Sequence, residues 1–109
     1  MGIENRIHER KPIKCRVVIV TDNEKHKIPG TTIDMSLGGA GLLLDENLPM
    51  GQNCTAHFRF PAGPGFNFLA IRSTVVYTVL VSNTSQYRIG LKFDSLEPDT
   101  ETFLKKALR

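Results

Sequence analysis

A chain of 109 residues has room for one hydrophobic core and not for two. Its 40% hydrophobic content excludes a wholly disordered chain, and no apolar run approaches the ~20 residues that cross a bilayer. The formal net charge of +3 lies entirely in residues 1–16, which hold five basic residues against two acidic ones, while the rest of the chain balances nine against nine.

The first residues contain no hydrophobic signal core, and Arg6 stands where a myristoylation motif has Ser or Thr, so neither secretion nor a lipid anchor is expected. From residue 14 to 20 the chain is rich in β-branched residues and reads as a strand, closed by the polar turn from Thr21. A second strand is predicted over 26–37, with Pro29-Gly30 as an irregularity, and Gly38-Gly39 ends it. Residues 40–44 resume an extended run. Over 53–60 the period is cleanly two, with Ala56, Phe58 and Phe60 on one side and Thr55, His57 and Arg59 on the other. Residues 61–65 are the strongest loop signal, a long bent strand covers 66–81, and a last strand puts Tyr87, Ile89, Leu91 and Phe93 on one face. The period then changes to that of a helix. Phe103, Leu104, Ala107 and Leu108 share a face, Pro98 suits the first turn, and acidic residues precede basic ones in the order that complements a helix dipole. About six strands with one apolar face each argue for an antiparallel barrel or sandwich with a short helix at its end.

Two stretches carry chemistry. Arg6 and Arg10 stand four residues apart in the basic segment, and guanidinium binds phosphate bidentately, forks onto guanine O6 and N7 and stacks on rings. Asp34 and Ser36 stand two apart, followed by Gly38, Gly39 and Gly41. With Ile33, Met35 and Leu37 turned to the core, Asp34 and Ser36 would both project outward beside a surface without bulk, where a flat ring could lie. A carboxylate there accepts guanine N1–H and N2–H as a pair. Read alone, the first motif is weak, since basic residues four apart are common in solvated tails, and the second is equally a polar turn whose side chains bond local backbone.

Taken together, Arg-x-x-x-Arg ahead of the first strand and Asp-x-Ser-x-x-Gly leaving the second resemble the PilZ domain family of bacterial cyclic di-GMP receptors. The late strand Ile89-Gly90-Leu91-Lys92-Phe93 extends the likeness over most of the chain. The resemblance implies a single domain over 1–109: a flexible ligand-clamping segment at 1–12, a six-stranded antiparallel β-barrel at 13–95 and a C-terminal α-helix at 97–108. It implies that Arg6 and Arg10 clamp cyclic di-GMP from the N-terminal segment and that Asp34, Ser36 and Gly39 form the barrel side. Tyr77 stands where the family often has a stacking aromatic. Asn5 replaces an arginine that in some relatives favours a stacked ligand pair, so one ligand per site is expected. The expected role is a cytoplasmic adaptor whose liganded surface changes its affinity for an unidentified protein partner, in motility, biofilm or exopolysaccharide control.

The alternative is a PilZ-like module that works through protein contacts without nucleotide, although loss of the arginines would be its natural mark. A nucleic-acid-binding barrel is not expected, because residues 17–109 show no stripe of basic and aromatic residues. Catalysis is not expected either. Ser36 lacks a Gly-x-Ser-x-Gly setting, and Cys54-x-x-His57 has no second ligand pair, so no metal is expected and no cofactor beyond the ligand itself. Two cysteines in strand patterns suit buried thiols in a reducing compartment.

Overall fold

The computed structural model describes residues 9–23 and 26–109. Alternating apolar residues build seven strands: β1 (Lys11–Pro12), β2 (Arg16–Thr21), β3 (Lys27–Met35), β4 (Gly39–Leu44), β5 (Asn53–Ala62), β6 (Gly65–Leu80) and β7 (Tyr87–Phe93). All pair antiparallel in the order β1-β3-β2-β5-β6-β7-β4, and β4 also pairs with β3. That last pairing closes β2 to β7 into a six-stranded barrel, with β1 as a short extra strand against the end of β3. Closure removes most open sheet edges.

The inward set of each strand fills the barrel. Val17, Ile19, Leu42, Phe58, Ile89 and Leu91 are all but inaccessible to solvent. Phe58 meets Phe93 edge-on with centroids 6.0 Å apart. Helix α1 (Pro98–Ala107) closes one end. Its Leu104 is fully buried, and Phe103 packs edge-to-face on Phe60 at 5.3 Å. Pro98 sits in its first turn, Asp99 and Glu101 follow, and Lys105 and Lys106 occupy the last turn. No helix among the described residues is long and apolar enough to cross a membrane.

Two departures from strict alternation matter for function. In β3 the register shifts between Thr32 and Asp34, and in β6 between Val75 and Tyr77. Each is a bulge, which adds a residue to one strand and re-aims the side chains beyond it. The β3 bulge corrects the expected facing of Ile33, while Met35 is buried and Leu37 packs against the core as expected. Thr32 and Met35 are the buried residues, Ile33 is half-exposed, and the strand stops at Met35.

The buried Thr32 also stitches the chain's entry into the barrel. Its hydroxyl donates to the Ile13 carbonyl at 2.6 Å and accepts the Cys15 amide at 2.8 Å. With Lys11 and Pro12 paired to Met35 and Asp34, the root of the basic segment is held along β3. Lys11 and Pro12, within the segment expected to clamp the ligand, pair along the end of β3.

Candidate functional site

The sheet register brings four residues from four neighbouring strands into one lateral row. Asp34 on β3 pairs with Gly41 on β4, Gly41 with Gly90 on β7, and Gly90 with Tyr77 on β6. The two glycines form a floor and the two side chains lie on it. The Asp34 carboxylate rests over Gly41, where an added Cβ would come within 2.8 Å of Oδ1, and the Gly41 amide donates to that oxygen at 3.0 Å. The Tyr77 ring covers Gly90 so closely that any side chain there would collide with it. Both Asp34 and Tyr77 follow a bulge, so the two irregularities place a carboxylate and an aromatic ring at opposite ends of one flat strip.

Around this row lies an open groove of about 1280 Å³, lined by Arg10, Asp34, Ser36, Gly39, Tyr77 and Arg88 among others. Five of the six residues singled out in the sequence therefore share one groove. Arg6 lies outside the described residues. Arg10 donates from Nη1 to Asp34 Oδ1 at 2.7 Å. One of the expected phosphate clamps is thus paired to the expected guanine acceptor.

Ser36 and Gly39 are placed differently from the expectation. Ser36 lies beyond the end of β3 and is buried, not projected outward beside Asp34. Its hydroxyl accepts the Gly38 amide at 3.0 Å, and its own amide donates to the Gly39 carbonyl at 2.9 Å. It shapes the β3–β4 turn, and among the described residues its hydroxyl makes no hydrogen bond as a donor. Gly39 meets a steric requirement: a Cβ there would run into the Leu91 carbonyl oxygen of β7.

Sequence reading passed over two contributors. Gly90 completes the floor beside Gly41, and Arg88 is a further cation at the Tyr77 end. The Tyr77 phenol, more than the distant Asp34 carboxylate, raises the pKa of the Arg88 guanidinium, so this cation is permanent. The alternation of Arg88, Gly90 and Lys92 on the outer face of β7 was the available signal, and Lys92 also lines the groove.

The remaining surfaces differ from expectation in one respect. Strand pairing sets Arg16 opposite Arg59 and Arg59 opposite Phe68, and the Arg59 guanidinium stands 3.9 Å over the Phe66 ring. A basic and aromatic face therefore exists, assembled from strands distant in sequence. Cys15 and Cys54 are buried free thiols. Burial, and then the neighbouring Asp22 carboxylate, pushes the Cys54 thiol up to about 11. Among the described residues, no three His, Cys, Asp or Glu side chains converge as a metal site.

This fold has known relatives. A family model described as PilZ domain matches residues 4–109. Among solved structures, the Bacillus subtilis inhibitor of motility MotI/DgrA aligns with TM-score 0.81 at 17% identity, over 96% of this chain and 49% of that one. The PilZ domain of Escherichia coli YcgR with c-di-GMP aligns at 0.69 and 16% identity, over 94% of this chain and 87% of that one. YcgR in complex with c-di-GMP aligns at 0.76 and 17%, over 94% and 44%. This chain spans about half the length of MotI and of YcgR. At these identities the likeness is one of fold. Curated protein sequences return no match.

Proposed function

The chain belongs to the PilZ domain family, and from that premise we propose that it is a receptor for cyclic di-GMP that signals to a protein partner through its changed surface. The observation that carries this reading is the row Asp34–Gly41–Gly90–Tyr77. Cyclic di-GMP presents two guanines and two phosphates, so its receptor needs a flat platform, an acceptor for a guanine edge and cations for phosphate. The Tyr77 ring, laid over Gly90, supplies the flat face to stack on, and Gly38 and Gly39 line the groove without bulk. Asp34 accepts N1–H and N2–H. Arg10, Arg88 and Lys92 supply positive charge within the same groove, and Arg6 joins them from the N-terminal segment.

Ligand entry exchanges partners. Guanine takes Asp34, and the released Arg10 turns to phosphate or to the guanine O6/N7 edge. The ion pair that is given up is partly exposed on both sides, so its loss costs only about 0–1 kcal/mol. Bidentate contacts to the ligand return more than this, at about 1–3 kcal/mol each. Because β1 pairs directly with Asp34, the exchange at Asp34 reaches the chain entering the barrel. This supports an adaptor whose outward signal is a repositioned N-terminal segment.

Titration calorimetry with cyclic di-GMP, GMP and a linear dinucleotide tests the reading. Tight binding of the cyclic dinucleotide alone is expected, at one ligand per site. Arg6→Ala and Arg10→Ala should each lose about 1–3 kcal/mol, and Lys27→Ala, at the end of β3 away from Asp34, should lose nothing. No heat with cyclic di-GMP would leave the chain as a PilZ-like protein-interaction module.

A further inference from the structure

β6 is sixteen residues long, but β7 accompanies it only from Ser73 to Leu80. Residues 65–72 have β5 on one side and no strand on the other. The barrel is closed above this point and open at it. The parity of the free backbone groups can be read from one contact. The Arg72 carbonyl accepts the Asp94 amide at 2.9 Å, so residue 72 directs its backbone groups toward the open side. In an antiparallel strand alternate residues do the same, which assigns Phe66, Phe68 and Ala70 to the free edge. Among the described residues, the backbone of 65–70 makes no hydrogen bond beyond its ladder to β5.

The side chains of these three residues are exposed as well. Phe68 is 77% exposed and Phe66 48%, the former more than any other large hydrophobic residue described. Soluble proteins protect such edges with lysine, proline, inward charge or a bulge. None occurs from Phe66 to Ile71, since the β6 bulge lies between Val75 and Tyr77. The run from Phe60 to Ile71 carries no charge at all, between Arg59 and Arg72. A second copy of this chain can therefore approach without setting like charges opposite one another, in a molecule whose net charge is +3.

We propose that residues 66–70 of β6 are a homodimerisation edge, at which a second copy adds antiparallel about a two-fold axis through Phe68. In this register Phe68 faces its own equivalent and Phe66 faces Ala70 of the second copy. The three facing pairs exchange about six ladder hydrogen bonds. The two Phe68 rings, solvated in the monomer, cover each other. The pairing stops at Arg72, whose carbonyl is already taken by Asp94. The two ligand grooves, built on β3, β4, β7 and the far half of β6, stay open. An interface this narrow makes a reversible dimer, not an obligate one.

Sedimentation velocity at loading concentrations from about 10 µM to 1 mM, a range suited to a small interface, should show mass rising toward twice that of the monomer. Phe68→Lys and Ala70→Pro, the latter removing a free-edge N–H, should each remove the rise, with an unchanged far-ultraviolet spectrum for the exposed Phe68→Lys to separate lost pairing from lost folding. Phe68→Cys should oxidise to a covalent dimer much faster than the exposed control Met50→Cys, because facing residues in this register lie about 5.5 Å apart at Cα, within disulfide reach. The buried Cys15 and Cys54 do not compete. A monomer throughout the range, or a dimer that survives Phe68→Lys, overturns the proposal. So does a monomer whose Phe66 and Phe68 instead bind a single-stranded oligonucleotide.

Discussion

Replacing Gly90 by alanine tests whether the Tyr77 ring lies on the glycine floor. The added methyl occupies space that the ring fills, so either the ring swings out or β7 shifts against its neighbours. Overpacking of this kind costs about 1–3 kcal/mol, against a gain of about 0.4–1 kcal/mol from stiffening the unfolded chain. The obstacle is a side chain, so its removal should abolish the cost. In a Tyr77→Ala background, Gly90→Ala should be neutral within about 0.5 kcal/mol, giving a coupling of about 1–2 kcal/mol in a double-mutant cycle. Two other glycines bracket the result. Gly65 has nothing within 4 Å of an added Cβ, so Gly65→Ala should stabilise slightly. At Gly39 the obstacle is the Leu91 carbonyl of a central strand, and Gly39→Ala should cost about 3 kcal/mol or more. Urea unfolding reads all of these, and the same proteins titrated with cyclic di-GMP should show Gly90→Ala weakening binding about as much as Tyr77→Ala. If Gly90→Ala costs the same with and without the Tyr77 ring, the described row is wrong.

Arg88→Ala should weaken cyclic di-GMP by about 1–3 kcal/mol in calorimetry while leaving the unfolding midpoint nearly unchanged, since this exposed cation supports the ligand and not the core. Cys54 makes stability fall in alkali. Its raised pKa means that the native state holds the thiol proton more tightly than the unfolded chain does. The benefit is complete below its ordinary value of 9.0 and is lost as pH rises to about 11. That loss amounts to at most about 2–3 kcal/mol, and Cys54→Ala should flatten this part of the stability–pH profile. Leu104→Ala empties the fully buried anchor of α1 and should cost about 2–5 kcal/mol by urea unfolding.

Local pattern was a good guide wherever burial follows period. The alternation around Ala56, Phe58 and Phe60, and the helical face of Phe103 and Leu104, match the core in detail. The pattern misled at Ile33, because a bulge inserts a residue without any mark of its own in the side-chain sequence. Ser36 misled for a related reason. Once the strand ends at Met35, its hydroxyl turns to the Gly38 amide, as serine commonly does in turns. The basic and aromatic face was invisible because Arg16, Arg59, Phe66 and Phe68 come from three strands and only pairing joins them.

By itself the amino-acid sequence determined that this is a β-rich domain ending in a helix, where its loops fall, and which two short motifs bring guanidinium, carboxylate and glycine to it. These are local properties, set by side-chain periodicity and turn chemistry within a few residues. Only the tertiary structure decided that Asp34 and Tyr77 end one strip floored by Gly41 and Gly90, that Arg88 stands beside it, and that β6 outruns its neighbour. Those facts depend on which strands lie side by side and in what register, and register is settled by closing the barrel.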